Sequence, residues 1–184
     1  MKIWYAISCV NDQQKARIKS LIRDRKKTGA NLPDLKLVPL TFDRMRKYEG
    51  SWHTEQKELF PECLIVDGPG ERCADGIAQA VRHDNLAWHN PVCGGRPVPL
   101  PEVTELDAAE EELLRSLCCE NCNMPLSRGV IRSGNVIIQE GPLMGHEHMI
   151  RRIDRHKRLA TIQIPFLGVE TKVTAGLEIT EKTM

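Results

Sequence analysis

No run of about 18 consecutive apolar residues occurs in this chain, so no transmembrane helix is expected. The N-terminus begins directly on a strand-like IWYAI. It lacks the charged region, long apolar stretch and small-residue cleavage site of a signal peptide, so a cytoplasmic location is expected. Aromatic residues are scarce, at 4%. Seven cysteines, an odd number without a secretory leader, exclude a simple disulfide framework and read as reduced thiols. No phosphate-cradling glycine loop, nucleophile elbow or HExxH motif is present. An enzyme is therefore not expected, nor is any cofactor.

The net charge of +1 conceals an uneven distribution. Residues 1–50 carry 12 Lys/Arg against 5 Asp/Glu, residues 106–126 carry 1 against 5, and residues 127–184 carry 9 against 6. A basic front, an acidic connector and a mildly basic tail point to a polyanionic partner for part of the surface.

Residues 3–10 are β-branched and aromatic, which predicts a strand. Ile18, Leu21 and Ile22 at i, i+3, i+4 predict a helix over 12–27, with Gly29 as its stop. Strands are expected over 35–48 and 52–66, joined at Glu49-Gly50-Ser51, and Gly68-Pro69-Gly70 breaks the second. Ala74, Ile77, Ala78 and Val81 share one face of a helix over 71–83. This βαββα order suggests a split βαβ sandwich, an antiparallel sheet with helices on one face. Four prolines and two glycines between Pro91 and Pro101 signal that packed structure ends near there. Residues 107–119 read as a helix capped by Asp107 with Glu110 three residues on, and its stripe of Leu113, Leu114, Leu117 and Cys118 needs something to pack on. After a linker-like stretch, four or five short strands in the remainder suggest a small barrel.

Several residue sets are candidates for function. Lys15, Lys19, Arg23 and Lys26 fall on one stripe of the first helix, and Arg44, Arg46 and Lys47 add charge on the hairpin. A solvated face and a phosphate-tracking surface are the two readings. Arg151 and Arg152, with Arg155, Lys157 and Arg158, surround a second hairpin tip, either as solubilising charge or as a further RNA or ribosome contact. Cys119 and Cys122 have CxxC spacing beside Cys118, but zinc wants four ligands, and a helix end with incidental thiols is the preferred reading. His146-Glu147-His148 reads as a surface turn rather than a metal site. No metal is expected.

Three motifs, in order, carry a resemblance. WYAI before a basic helix, LFPECLIV at 59–66, and GPLMGHEHMIRRIDRHKR at 141–158 followed by ATIQIPFLGVETKVTAGLEI together resemble the NusG family of transcription elongation factors. The last motif resembles the KOW module. The phrase SRGVIRSGNVIIQEGPLMG is most similar to the LoaP subgroup of specialised antitermination paralogues. The family's Pro-Gly-Tyr stands here as Pro61-Glu62-Cys63, the second Gly of its Gly-x-x-Gly is replaced by His148, and Asn135 stands where an Asp often precedes the first barrel strand.

The resemblance implies an α+β chain. Residues 1–105 would form a NusG-type N-terminal domain with a four-stranded antiparallel sheet, 106–127 a helical linker, and 128–184 an SH3-like KOW β-barrel. It implies a polymerase contact at Trp4, Tyr5, Phe60, Pro61 and Cys63, facing the β′ clamp helices and the β subunit of RNA polymerase. On the residues alone, Tyr5 and Phe60 are at least as readily core. It implies a nascent RNA hairpin as partner of Lys15, Lys19, Arg23, Lys26, Arg44, Arg46, Arg151 and Arg152. A ribosomal protein or another factor would bind the KOW domain, no membrane is involved, and a monomer is expected. A ribosome-associated RNA-binding module that never meets polymerase is the rival. A helical C-terminal domain is disfavoured by the Val, Ile and Thr of 160–174 and by Pro165.

Overall fold

The computed structural model describes residues 2–24, 34–70, 73–86, 92–93, 96–97 and 100–183. They form a mixed α+β structure of two compact units: Met1–Val38 with Pro61–Leu106, and Pro39–Phe60 with Asp107–Met184. Every sheet is open.

In the first unit, β1 (Lys2–Ser8) pairs antiparallel with β5 (Cys63–Pro69) and with β8 (Val103–Glu105), and β2 (Lys36–Val38) pairs antiparallel with β5. The order is β2-β5-β1-β8. Alternation along β1 sends Ile3, Tyr5 and Ile7 to one face. There they share a core with Ile18, Leu21 and Ile22 of α1 (Asp12–Arg23) and with Ile77 and Val81 of α2 (Cys73–Leu86). Both helices therefore cover the same face of the sheet, each fully buried aliphatic contributing about 1.5–3 kcal/mol. Asn11 caps α1 by accepting a 2.8 Å bond from Gln14 N, and Gln14 Oε1 accepts one from Val10 N. The helix is capped at Asp24, whose N–H donates to Ser20 O. Residues 25–27 of the expected helix and its expected stop at Gly29 lie outside the described residues. A short pair, β6 (Val92–Cys93) and β7 (Arg96–Pro97), falls in the Pro-rich stretch, and β8 extends the packed sheet just beyond it.

The strand expected over 35–48 is broken into β2 and β3 (Thr41–Tyr48), and that over 52–66 into β4 (Ser51–Glu58) and β5. Pro39 and Pro61 fall in the two gaps. Proline has no N–H to give a ladder and restricts the residue before it, so each run stops there. The β3–β4 hairpin thereby belongs to the second unit. Its two-residue tip, Glu49-Gly50, has φ of 51° and 78°, the left-handed pair that matches strand twist in tight hairpins.

The second unit is built on a five-stranded sheet of order β11-β10-β14-β13-β12. Its strands are β10 (Ser127–Arg132), β11 (Asn135–Glu140), β12 (Ile150–Asp154), β13 (Leu159–Phe166) and β14 (Val169–Thr183). β10 and β14 run parallel; the other pairs are antiparallel. The segment read as a surface turn at His146-Glu147-His148 is a 3₁₀ turn over Glu147–Met149.

The helix expected in a linker, α3 (Ala108–Leu117), is built into this unit. Leu114 and Leu117 are buried. Asp107 and Glu110 form the expected capping box, and buried Glu110 also accepts a 2.8 Å bond from Gly168 N in the β13–β14 turn. After α3, β9 (Asn123–Met124) pairs parallel with β3. Asn123 accepts from Thr41 Oγ1 at 2.8 Å and donates to Asp43 Oδ1 at 2.9 Å.

β14 passes close to the hairpin root. A Cβ on Gly176 would collide with Asp43 O and stand 2.9 Å from Leu126 Cδ1. Gly176→Ala is expected to lower stability by about 1–3 kcal/mol through overpacking, read as a lower urea midpoint. A neutral result would refute this close approach.

Candidate nucleic-acid interface

The cationic stripe of α1 is not uniform. Lys15 is buried, and its ammonium donates a 2.8 Å hydrogen bond to the Pro61 carbonyl just before β5. It is a structural cation, and the expectation that it faces phosphate is corrected accordingly. Packing decides this: position 15 lies beside the apolar stripe, so its methylenes are buried and its charge is held on a backbone carbonyl. Lys19 is half-buried and Arg23 is exposed. Lys26 lies outside the described residues.

The residues grouped as a polymerase contact divide between the two units, and three of the five are buried. Tyr5 is fully buried under the helices, with its hydroxyl donating to Pro69 O at 3.3 Å, and Trp4, on the opposite face of β1, is 3% exposed. Phe60 belongs to the second unit, stacked on Phe166 of β13 with centroids 4.0 Å apart. Pro61 is exposed, and Cys63 is half-buried beside Ser8 at the end of the β1–β5 ladder. Burial raises the Cys63 thiol pKa, while Lys15 pulls it down and Glu62 pushes it up, so it is not an activated nucleophile.

The second unit collects the remaining cations. Arg44 is half-buried and Arg46 exposed on β3, with Arg46 3.4 Å from Glu55 on β4. Arg151 and Arg152 are exposed on β12, an outer strand, and Arg151 Nε donates to Gln163 Oε1 at 2.9 Å. The following turn exposes Arg155 and Lys157. Asp154 closes that turn. The Lys157 N–H donates to it at 3.0 Å and, as the largest influence, lowers its carboxyl pKa. Arg158, at φ 53°, pairs with Glu178 at 2.9 Å and lies 4.0 Å over the Trp52 ring on β4. This contact ties the β12–β13 turn to the hairpin.

Trp52, Tyr48 and His53 were not among the expected site residues. Tyr48 and His53 stack with centroids 3.7 Å apart at 16°. The legible signal was their position: residues flanking a two-residue turn in this spacing lie diagonally on one face.

The thiol cluster is structural. Cys118 caps α3, and burial, with smaller contributions from Cys122 and Cys119, pushes its thiol up to about 12. Cys119 is exposed, and Cys122 turns the chain at φ 61°. Among the described residues no group of three or more His, Cys, Asp or Glu side chains could hold a metal ion. His146 and His148 stand on the 3₁₀ turn with centroids 6.2 Å apart and ring planes tilted by 52°.

No protein-family model matches the chain, and no curated protein matches it.

Three outcomes follow from this geometry. Lys15→Ala is expected to destabilise the first unit by about 1–3 kcal/mol, the scale of a lost buried hydrogen bond, with no change in the salt dependence of RNA binding. Lys19→Glu with Arg23→Glu should do the reverse, leaving thermal stability near wild type and flattening that salt dependence. Cys118 holds its proton in the folded state to about 12, against 9.0 for a free thiol. The unfolded chain releases that proton first, so stability is intact below pH 9.0 and falls as pH rises towards 12. Cys118→Ala should flatten that alkaline loss in urea titrations. An unchanged alkaline slope would count against burial of this thiol.

Proposed function

We propose that the chain is a NusG-type transcription elongation factor that binds RNA polymerase and promotes processive antitermination, with recognition of nascent RNA. In this reading the first unit is a NusG-type N-terminal domain with its split βαβ order. Residues 128–184 correspond to the KOW module, its strands being those of the open five-stranded sheet of the second unit. The observation that carries the reading is the antiparallel sheet of the first unit with both helices packed on one face, in the β-α-β…β-α order that the motifs imply. The placement of WYAI on β1 and of the ECLIV segment on neighbouring β5 supports it.

The mechanism is binding energy rather than catalysis. A ligand that prefers the closed, elongation-competent polymerase shifts the population by its differential affinity alone. Pausing and termination need an opened or rearranged complex and are thereby suppressed. Of the five residues assigned to the polymerase contact, Pro61 and Cys63 are accessible, so the reading assigns first contact to that corner. The exposed cations of α1 and of the second unit supply the RNA contact through counterion release.

The test is transcription by purified polymerase across a terminator fused to the leader of the chain's own operon, with and without the full chain. Read-through is expected to rise. Unchanged read-through together with no capture of core polymerase would overturn the reading in favour of a ribosome-associated module.

A further inference from the structure

We propose that one face of the β3–β4 hairpin is a stacking site for single-stranded nucleic acid. Tyr48 and His53 receive a base, and Arg44, Arg46 and Lys57 receive the adjoining phosphates. Cross-strand register assigns these side chains to one face: Arg46 opposes His53, Arg44 opposes Glu55, Lys57 opposes Phe42, and Tyr48 opposes Ser51. Tyr48 is 44% exposed although it is a large aromatic, and it is already stacked on His53 at 3.7 Å. A pre-stacked ring pair, with Tyr48 exposed over the half-buried His53, offers a π surface without further ordering of the protein, which lowers the entropic cost of binding.

The charge on this face suits the same ligand. Arg46 and Lys57 have side chains 61% and 51% exposed, and Arg44 is half-buried. Glu55 is the single acid among them, 3.4 Å from Arg46 and 4.0 Å from Lys57, and it cannot neutralise three cations. On the opposite face, Trp52 is held under Arg158, which steadies the ribbon and brings the exposed Arg155 and Lys157 turn towards it. Trp52 and Arg158 are thus positioning residues. Every base has a π face, so the site is tolerant of sequence and selects single strands, whose bases are free to stack.

This inference rests on the reading that the chain works beside emerging RNA, but its assay needs no polymerase. The full chain is titrated with an oligouridylate of about 12 nucleotides, the matching DNA strand and a duplex. Both single strands are expected to bind and the duplex much more weakly, with a log-log salt slope of about −2 for three phosphates. Tyr48→Ala and His53→Ala should each weaken single-strand binding about tenfold, the scale of one lost base stack. Tyr48→Phe should retain it, and Arg46→Glu should weaken it and flatten the salt slope. Circular dichroism should be unchanged in all four, since these side chains lie outside the core. Single-strand binding that survives both alanine variants, or a preference for duplex, overturns the site while leaving the elongation reading standing. Hairpin-dependent binding in a protein that does not affect polymerase supports the site and overturns the elongation reading.

Discussion

Asn123 holds the root of the β3–β4 hairpin in place. Its side chain satisfies Thr41 and Asp43 together, and the neighbouring Cys122 carbonyl accepts from Thr41 N at 3.0 Å. Asn123 itself is buried, where an unpaired amide would cost about 1–3 kcal/mol. These bonds join β9 to the root of the β3–β4 hairpin, and the glycine at 176 lets β14 approach Asp43 from another side. A free two-stranded hairpin is marginal in water. With its root anchored, the same ribbon carries Arg44, Arg46, Tyr48 and His53 at defined positions.

Burial sorts the cations of this chain into two kinds. Lys15 is fixed on a carbonyl, and Arg158 is shared between Glu178 and the Trp52 ring. These build structure. Arg23, Arg46, Arg151, Arg152, Arg155 and Lys157 keep their charge at the surface. Their solvent-screened pairs add little stability, so they remain available to a polyanion at little cost to the fold. A net charge near zero gives no hint of this, because acids such as Glu110 are used inside the structure, on Gly168 N and the cap of α3.

Much of the local structure was legible in the residues. The strand at 3–8, the onset of α1, the Asp107–Glu110 box and the Glu49-Gly50 turn follow from alternation, capping chemistry and turn preference, which act within a few residues. The breaks at Pro39 and Pro61 were legible in principle, since proline ends a ladder wherever its missing N–H is needed. The candidate site was less legible. Periodicity grouped Lys15 with Lys19 and Arg23, but it could not tell that a carbonyl at position 61 would claim the first of them. Phe60 and Cys63 looked like neighbours on one strand, yet they fall in different units.

The chain's amino acids alone determined where helices start, where hairpins turn and which segments alternate, because those choices depend on backbone preferences and side-chain spacing over short range. Only tertiary structure decided which cations face water, which aromatics are core and that Tyr48 remains exposed. Those outcomes depend on contacts between residues as far apart as 41 and 123, or 52 and 158, and no local pattern encodes such a meeting.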